Sequence, residues 1–516
     1  MLQRALLAFG LFWLGGVQAQ VYITQPEQPV PASNEPSLSI HPKDPLLRFL
    51  GGNVNLAWIS RDGGGSWQKT DIASPLGFYG DPVTYITSDG KLYICHLSRN
   101  AKLSWPQWFD RIVFQRSDDG GTTFTGGTGI GFTEGKVQDK PWMSVDERKG
   151  SPHLNRIYLS WTEFDRYKSD NPRDSSRIRF AYSDNRGDTF SLPVAVSDTS
   201  GDCRDGDNTM EGATTAVGKN GKVFIAWAGK GKIFFDQSND GGLTWGKDRV
   251  IAQQPGGWEQ DFSGIMRANS MPFLTSDKKG GLHLVWGAMN GTDCDIFYSY
   301  SRDEGATWSP KLRINRDPEG NGLDQYMPHI TADPISGKVY ILHYDRRNSP
   351  ANVFTDVYIT EIKSGKPGKQ GRLTPQAFAA PGKEEFFGDY IAVAATKGQV
   401  GAAWTTLNAD RQVTLDVASF RTSTIGKLPA TPVNASLNHY APKGSDSLVL
   451  HYVFPAAKGF TLKLYRLREL VYTQGFNDLK TAEGDIVLPR KRFRNGLYEG
   501  VMESPNGRID YRFYLE

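Results

Sequence analysis

The sequence predicts an all-β chain: a seven-bladed β-propeller, with six blades as the alternative count, followed by a small C-terminal β-sandwich. Three observations carry this. A Ser/Asp/Gly turn ending in an aromatic occurs five times, as SRDGGGSW from Ser60, SDDGGTTF from Ser117, SDNRGDTF from Ser183, SNDGGLTW from Ser238 and SRDEGATW from Ser301. Start-to-start spacings of 57, 66, 55 and 63 residues fit a repeat of one supersecondary unit. The composition (Gly 56, Pro 29, 12% aromatic) suits short strands joined by many turns.

Each unit reads as four antiparallel strands, the arrangement of a propeller blade. The first strand opens with polar residues, often followed by Pro: NEPSLSI, GDPVTYI, DKPWMSV, MEGATTAV, NSMPFLT, QYMPHIT and FGDYIAV. These seven openers set the blade count. The second strand is apolar and ends in Trp in RIYLSW, GKVFIAW, GLHLVW and QVGAAW, whereas KLYICH and KVYILH end in His96 and His343. The third strand (RIVFQR, RIRFAY, KIFFDQ, DIFYSY) leads into the Ser/Asp/Gly turn. There, Asp and Ser bond nearby backbone N–H groups and Gly accepts positive φ. The seventh unit has three strands of its own, and residues 21–25, VYITQ, supply its outermost strand and so close the ring, leaving no free edge.

The domains expected are a signal peptide over 1–19, the propeller over 20–425 and the sandwich over 426–516, with GKLPATPVNAS as linker. Arg4, the apolar run to Val17 and the V-Q-A before Gln20 form a secretory signal, too short to span a bilayer. The protein is therefore expected to be secreted or held at the cell surface. Lys+Arg 59 against Asp+Glu 56 leaves +3 and no basic stripe, which argues against a nucleic-acid partner. The three cysteines fit no zinc spacing. In an oxidising compartment, Cys203 and Cys294, placed in loops on one face of adjacent blades, are expected to pair and to leave Cys95 free.

The repeated turn is identified as the Asp-box, or bacterial neuraminidase repeat, of the sialidase superfamily, and the resemblance covers residues ~34–425. It implies a sialidase-like glycosyl hydrolase fold in which Asp62, Asp119, Asp240 and Asp303 are structural turn-formers on the face away from the active site. The superfamily's sialidases have six blades and an Arg-Ile-Pro motif. This chain has seven openers and no such motif, and Arg48 in LLRFLGG lies on a different element. No catalytic residue carries over.

Candidate chemistry is therefore read from propeller geometry. The openers place Glu35, Asp81, Asp139, Glu211, Asn269, Gln325 and Asp389 around the channel mouth opposite the Asp-box turns. Crowded carboxylates repel, so one can be held protonated as a general acid while another stays ionised. A glycosidase uses such a pair across the scissile bond. The competing reading is that they cap strands. His96 and His343, with Tyr326 or Tyr390, could instead be the base and acid of a polysaccharide lyase acting on uronic acids, unless the histidines are core residues. The loops joining second to third strands bring Trp105, Trp108 and Arg111, Arg166 with Tyr167, and Arg346 with Arg347. Arg267 stands just before the fifth opener. These suit stacking on sugars and gripping an anionic group, or else loop packing. A Ca2+ ion is conceivable at so acidic a mouth, but no spacing rule supports one, and neither metal nor cofactor is expected.

Three functions follow: a sialidase-like glycoside hydrolase on extracellular glycans, a uronate polysaccharide lyase, and a non-catalytic glycan- or protein-binding propeller. A carboxylate pair beside a tyrosine–carboxylate couple favours the first, a His–Tyr–Arg cluster at the mouth the second, and a plugged channel the third. The GLY before the final hairpin is similar to type IX secretion sorting domains, which would place the C-terminal module at the cell surface.

Overall fold

The computed structural model describes residues 21–28, 33–408, 412–428, 435–454, 459–477, 482–504 and 507–515, and the expected signal peptide lies outside them. Helix among the described residues is confined to three 3-10 turns at Lys219–Gly221, Thr422–Lys427 and Arg490–Arg492. The rest of the regular structure is antiparallel sheet.

From Ser37 to Arg421 the strands group into consecutive four-stranded sheets, one of which gains a fifth short strand, with one two-stranded ribbon (Glu259–Gln260 with Ala268–Asn269) standing before the fifth sheet. We number these sheets 1 to 7 by their first strands: Ser37–Ile40, Val83–Ile86, Val137–Val145, Glu211–Val217, Phe273–Ser276, Gln325–Ala332 and Ala392–Thr396. In sheet 7 the fourth strand is Tyr22–Thr24, which pairs Tyr22 with Ser419 and Thr24 with Val417. First strands of successive sheets touch one another, and that of sheet 7 returns to that of sheet 1. This is a closed propeller ring. Each sheet is covered on both faces by its neighbours, so second strands such as Leu92–Leu97 and Ile157–Phe164 are buried along their whole length. Such strands read as continuous apolar runs rather than alternating ones.

The Asp-box turns act as corners. In sheet 5, Ser301 Oγ donates to Asp303 Oδ1 at 2.8 Å and accepts from Gly305 N–H at 2.8 Å, while Thr307 N–H and Oγ1–H donate to Asp303 at 2.9 and 2.6 Å. The Thr307 hydroxyl and amide, helped by Ser301, hold the Asp303 carboxyl down at about 2. The same net forms around Asp62, Asp119 and Asp240. The closing aromatic then packs on the preceding sheet: Trp245 meets Phe180 at 4.8 Å and Trp308 meets Phe235 at 5.5 Å. The second glycine does too. Gly242 has φ +91°, and a Cβ there would stand 2.4 Å from the Phe180 ring.

Beyond sheet 7, a three-stranded sheet (Ser436–Tyr440, Ser447–Val453, Glu483–Pro489) and a four-stranded one (Phe460–Arg466, Glu469–Phe476, Gly496–Ser504, Gly507–Leu515) share a core of Leu448, Leu450, Leu462, Leu464, Met502 and Phe513. This unit is tied to sheet 6 through charge. Arg372 makes a two-pronged pair with Glu483 at 2.7 and 2.8 Å and meets Asp356 at 2.7 Å. His451 lies between Asp485 (2.7 Å) and Glu483 (3.1 Å), stacked on Phe354. Burial opposes its charge, but the two carboxylates win and raise its pKa to about 9.

The expected Cys203–Cys294 disulfide does not form; all three cysteines are free and buried. Cys203 belongs to the apolar core around sheets 2 and 3, whereas Cys294 belongs to the core around sheet 6, with its Sγ against Gln260. Cys294 stands within the strand Asp293–Ser301 rather than in a loop, and the two thiols face different cores.

Two outcomes follow. Gly242→Ala adds both left-handed strain and a clash, and should destabilise by about 2–3 kcal/mol in urea melts. His451, raised above its ordinary 6.5, contributes stability that is complete below that pH and is lost as pH rises through about 9. Glu483, held low by His451 and Arg372 against its burial, loses its contribution only as pH falls below the ordinary carboxylate range toward its lowered folded value. The melting temperature of the full chain should therefore fall on the alkaline side between pH 7 and 9.5, and His451→Gln should flatten that limb.

Candidate functional site

The strand openers converge because of a shared backbone device. Glu35, Asp81, Lys140 and Met327 all adopt left-handed conformations (φ 51°, 52°, 50° and 46°), each directly before a Pro. In sheets 3, 4 and 6 the register slips at this point, between Asp139 and Trp142, Glu211 and Thr214, and Tyr326 and His329. A bulge there re-aims side chains toward the axis, at a cost that bulky L-residues meet only where the surroundings hold them.

The result is a buried charged layer. Lys140, from sheet 3, bonds Asp389 of sheet 7 and lies 3.5 Å from Asp81 and 4.0 Å from Glu35. Arg267 reaches Asp389 with two nitrogens and Asp205 at 2.6 Å. Tyr167 Oη donates to the same Asp205 oxygen at 2.6 Å. Asp139 and Glu211 complete the layer; Asp139 Oδ1 accepts from Lys140 N–H at 2.9 Å, and both Glu211 oxygens are buried without a hydrogen-bond partner. Around it stand Tyr79, Trp108, Trp105 and Phe386: Trp105 meets Tyr167 edge-on at 6.0 Å, and Arg267 lies over Phe386.

Environment separates these carboxyls. Burial pushes Asp139 up to about 8, assisted by Asp81 and Asp205 and opposed by Lys140. Burial likewise raises Glu211, with Asp205 and Asp139 adding to it, and raises Glu35, with Asp81 adding to it. Asp389 is equally buried, yet the Arg267 and Lys140 cations overcome that and hold it well below the usual range. Thus a protonated acid and a fixed carboxylate coexist at neutral pH. Burial and the carboxylates of Asp139 and Asp205 keep the Tyr167 phenol protonated.

Several expected site residues lie elsewhere. Glu35 accepts from Asp389 N–H at 3.0 Å and from Asn53, whose Oδ1 takes Asp81 N–H at 2.8 Å. Rather than facing substrate, Glu35 welds sheets 7, 1 and 2. His96 is fully buried, contacts Leu97 O and Gln115, stacks on Phe78 at 3.8 Å and is driven down to about 4 by burial. His343 is also fully buried, against Tyr344 O and the Tyr358 ring. Neither can be a base at the mouth. Tyr326 donates or accepts at Thr355, beside Arg346, whose guanidinium clamps Ser263 O and Asn352 O. Arg347 is engaged by Asp345, and Arg111 by Asp110 at 2.7 and 3.0 Å. Gln325 joins Asn315 and Asp317 away from the layer, and Asn269 accepts from Met271 N–H. Tyr390 lies buried at the layer, pushed well up by burial, with Oη unpartnered. Arg166 is exposed.

Sequence reasoning missed Lys140, Asp205 and the role of Tyr167. Lys140 was marked by DKPW, which sets it before Pro just as NEP and GDP set Glu35 and Asp81. Asp205 and Tyr167 sit in loops with no period to mark them.

No protein-family model matches the chain, nor does any curated protein. Among solved structures it is similar to the NanB sialidase from Streptococcus pneumoniae (10% identity, TM-score 0.44, 73% of this chain and 84% of that one). It is also similar to the Hadza microbial sialidase Hz136 (15%, 0.42, 74% and 75%) and to the α-L-arabinofuranosidase Arb93A from Fusarium graminearum (12%, 0.43, 78% and 97%). Overlap at this level of identity and TM-score carries no argument about function. Among the described residues, no helix is long and apolar enough to cross a membrane.

Lys140→Met should leave Asp389 and Asp81 short of a counter-charge in a buried layer. The expected loss is about 3–5 kcal/mol in denaturant melts. Because carboxylates deprived of Lys140 would take up protons at low pH, that loss should shrink as pH is lowered from 7 to 5.

Proposed function

We propose that the protein is an exported glycoside hydrolase acting on extracellular glycans, built as a seven-bladed propeller (20–425) with a C-terminal β-sandwich (426–516). The observation that carries this is the Tyr167–Asp205 hydrogen bond, fixed by Arg267 and set beside a carboxyl, Asp139, that is protonated at neutral pH. A phenol bonded to a carboxylate is a nucleophile with its base in place.

In the first half-reaction Tyr167 Oη bonds to the anomeric carbon as the glycosidic C–O bond breaks. Its proton passes to Asp205, and Asp139 gives its own proton to the departing oxygen. In the second, water attacks the anomeric carbon and Asp139 takes the water proton. The Tyr167 oxygen leaves and recovers a proton from Asp205, so the configuration is retained. Trp105, Trp108 and Tyr79 supply flat surfaces for sugar rings. The chemistry assigned here needs side chains only. The signal sequence and the sorting-like C-terminus support export and a place at the cell surface.

A non-catalytic binding propeller is the second reading, favoured by the paired charges that plug the axis. The lyase reading loses its support with His96 and His343 out of reach. The test is hydrolysis of a panel of p-nitrophenyl glycosides, including sialoside, arabinofuranoside and neutral hexosides. Asp139→Asn and Tyr167→Phe should each lower kcat/KM at least 10²-fold, the scale of a lost acid or nucleophile. In the native chain activity should fall as pH rises through about 8, where Asp139 ionises. No turnover on any glycoside would leave the binding reading.

A further inference from the structure

Beneath the charged layer the axis widens into a cavity of about 790 Å³. Its walls are the first strands, and its entrance is made by the turns that follow them, including Pro42, Arg148, Lys278 and Pro334. In an antiparallel sheet those turns lie at the same end as the Asp-box corners. The cavity therefore opens on the face opposite the Tyr167 site.

Three features make this cavity more than leftover space. Every first strand is hydrogen-bonded within its sheet on one side only, so seven strand edges turn backbone N–H and C=O groups toward the lumen. Neighbouring side chains take a few: Thr84 N–H goes to Ser37 Oγ (2.9 Å), Leu274 N–H to Thr214 Oγ1 (3.0 Å) and Val393 N–H to His329 Nδ1 (3.3 Å). The remaining edge groups need a polar partner in the lumen.

The inner end is a flat aromatic floor. Trp142, two residues beyond Lys140, extends from sheet 3 to meet Phe273 of sheet 5 at 5.0 Å and His329 of sheet 6 at 5.7 Å. His329 is 9% exposed and lines the cavity. Its Nδ1 accepts from Val393, which leaves the proton on Nε2, and Nε2 has no hydrogen-bond partner among the described residues. Burial drives the ring down to about 3, so this is an uncharged donor.

The entrance charges are mostly engaged. Arg148 bonds Val217 O, Ser276 Oγ and Asp277 O; Glu147 binds the Tyr85 hydroxyl; Lys278 bonds Ile335 O. Lys149 and Lys219 stand exposed at the outer rim.

We propose that the axial cavity on the Asp-box face is a second ligand site, taking a neutral sugar of one or two rings stacked on Trp142 and hydrogen-bonded to His329 Nε2–H and the strand edges. The volume lies within the range of small-molecule pockets. A wall of amide donors and acceptors with a flat indole suits a ring bearing hydroxyls, and an uncharged donor at the floor suits an uncharged ring. This site is independent of the hydrolase reading.

The test is saturation-transfer NMR on the full chain with lactose, N-acetylglucosamine and glucuronate as probes. Thr331→Trp fills the lumen from a half-exposed wall position, and Trp142→Ala removes the floor. Transfer to lactose or N-acetylglucosamine should exceed transfer to glucuronate and should drop at least tenfold in Thr331→Trp with an unchanged melting temperature. Trp142→Ala should lose it as well. The proposal is overturned if neither neutral sugar receives saturation at millimolar concentration, if Thr331→Trp binds them as the native chain does, or if glucuronate is preferred. Glycoside turnover in Thr331→Trp reads the opposite face separately, so failure here and failure of the hydrolase reading give different results.

Discussion

Closing a ring of sheets forces the starts of seven strands toward one axis, and in this chain five of the seven openers bring a carboxylate. Bare carboxylates cannot be buried side by side; the penalty is several kcal/mol for each uncompensated ion. Lys140 and Arg267 answer this constraint from sheets 3 and 5, and both converge on Asp389 of sheet 7. Neutralisation and cross-ring bracing are thus the same set of contacts. Their uneven reach also has chemical content. Where two cations meet one carboxylate it stays ionised, and where burial outweighs a single cation, as at Asp139, the proton stays on.

Much of the fold was legible because its rules are local. A Ser, an Asp and a Gly four residues after the Ser write the same corner four times, and Asn185 serves for Asp in a fifth. The apolar second strands and the polar openers could be counted without knowing what they touch. The strand over Tyr22–Thr24 was visible from the missing fourth strand of sheet 7.

The site was only half legible, for a geometric reason. Register shows which residues stand at the axial end of a strand, so Asp81, Asp139, Glu211 and Asp389 could be named. It does not show which loop residues return to the axis, so Asp205 was invisible and Tyr167 stood as one aromatic among many. Of the two readings open for His96 and His343, the core one holds: the end of a second strand looks axial along the chain, but both side chains are fully buried. The cysteine pairing failed because adjacency along the ring says nothing about which core a thiol faces.

The Tyr22–Thr24 strand also sets the order in which the molecule can be made. Thr24 meets Val417 across 393 positions of chain, and bringing ends so far apart together costs about 5 kcal/mol of chain entropy. Sheets 1 to 6 each draw on a single contiguous stretch and can form as soon as that stretch is available. Sheet 7 must wait for both. The first residues of the ring are thus its fastener, since sheet 7 is complete only when Tyr22–Thr24 pairs with Val417–Ser419.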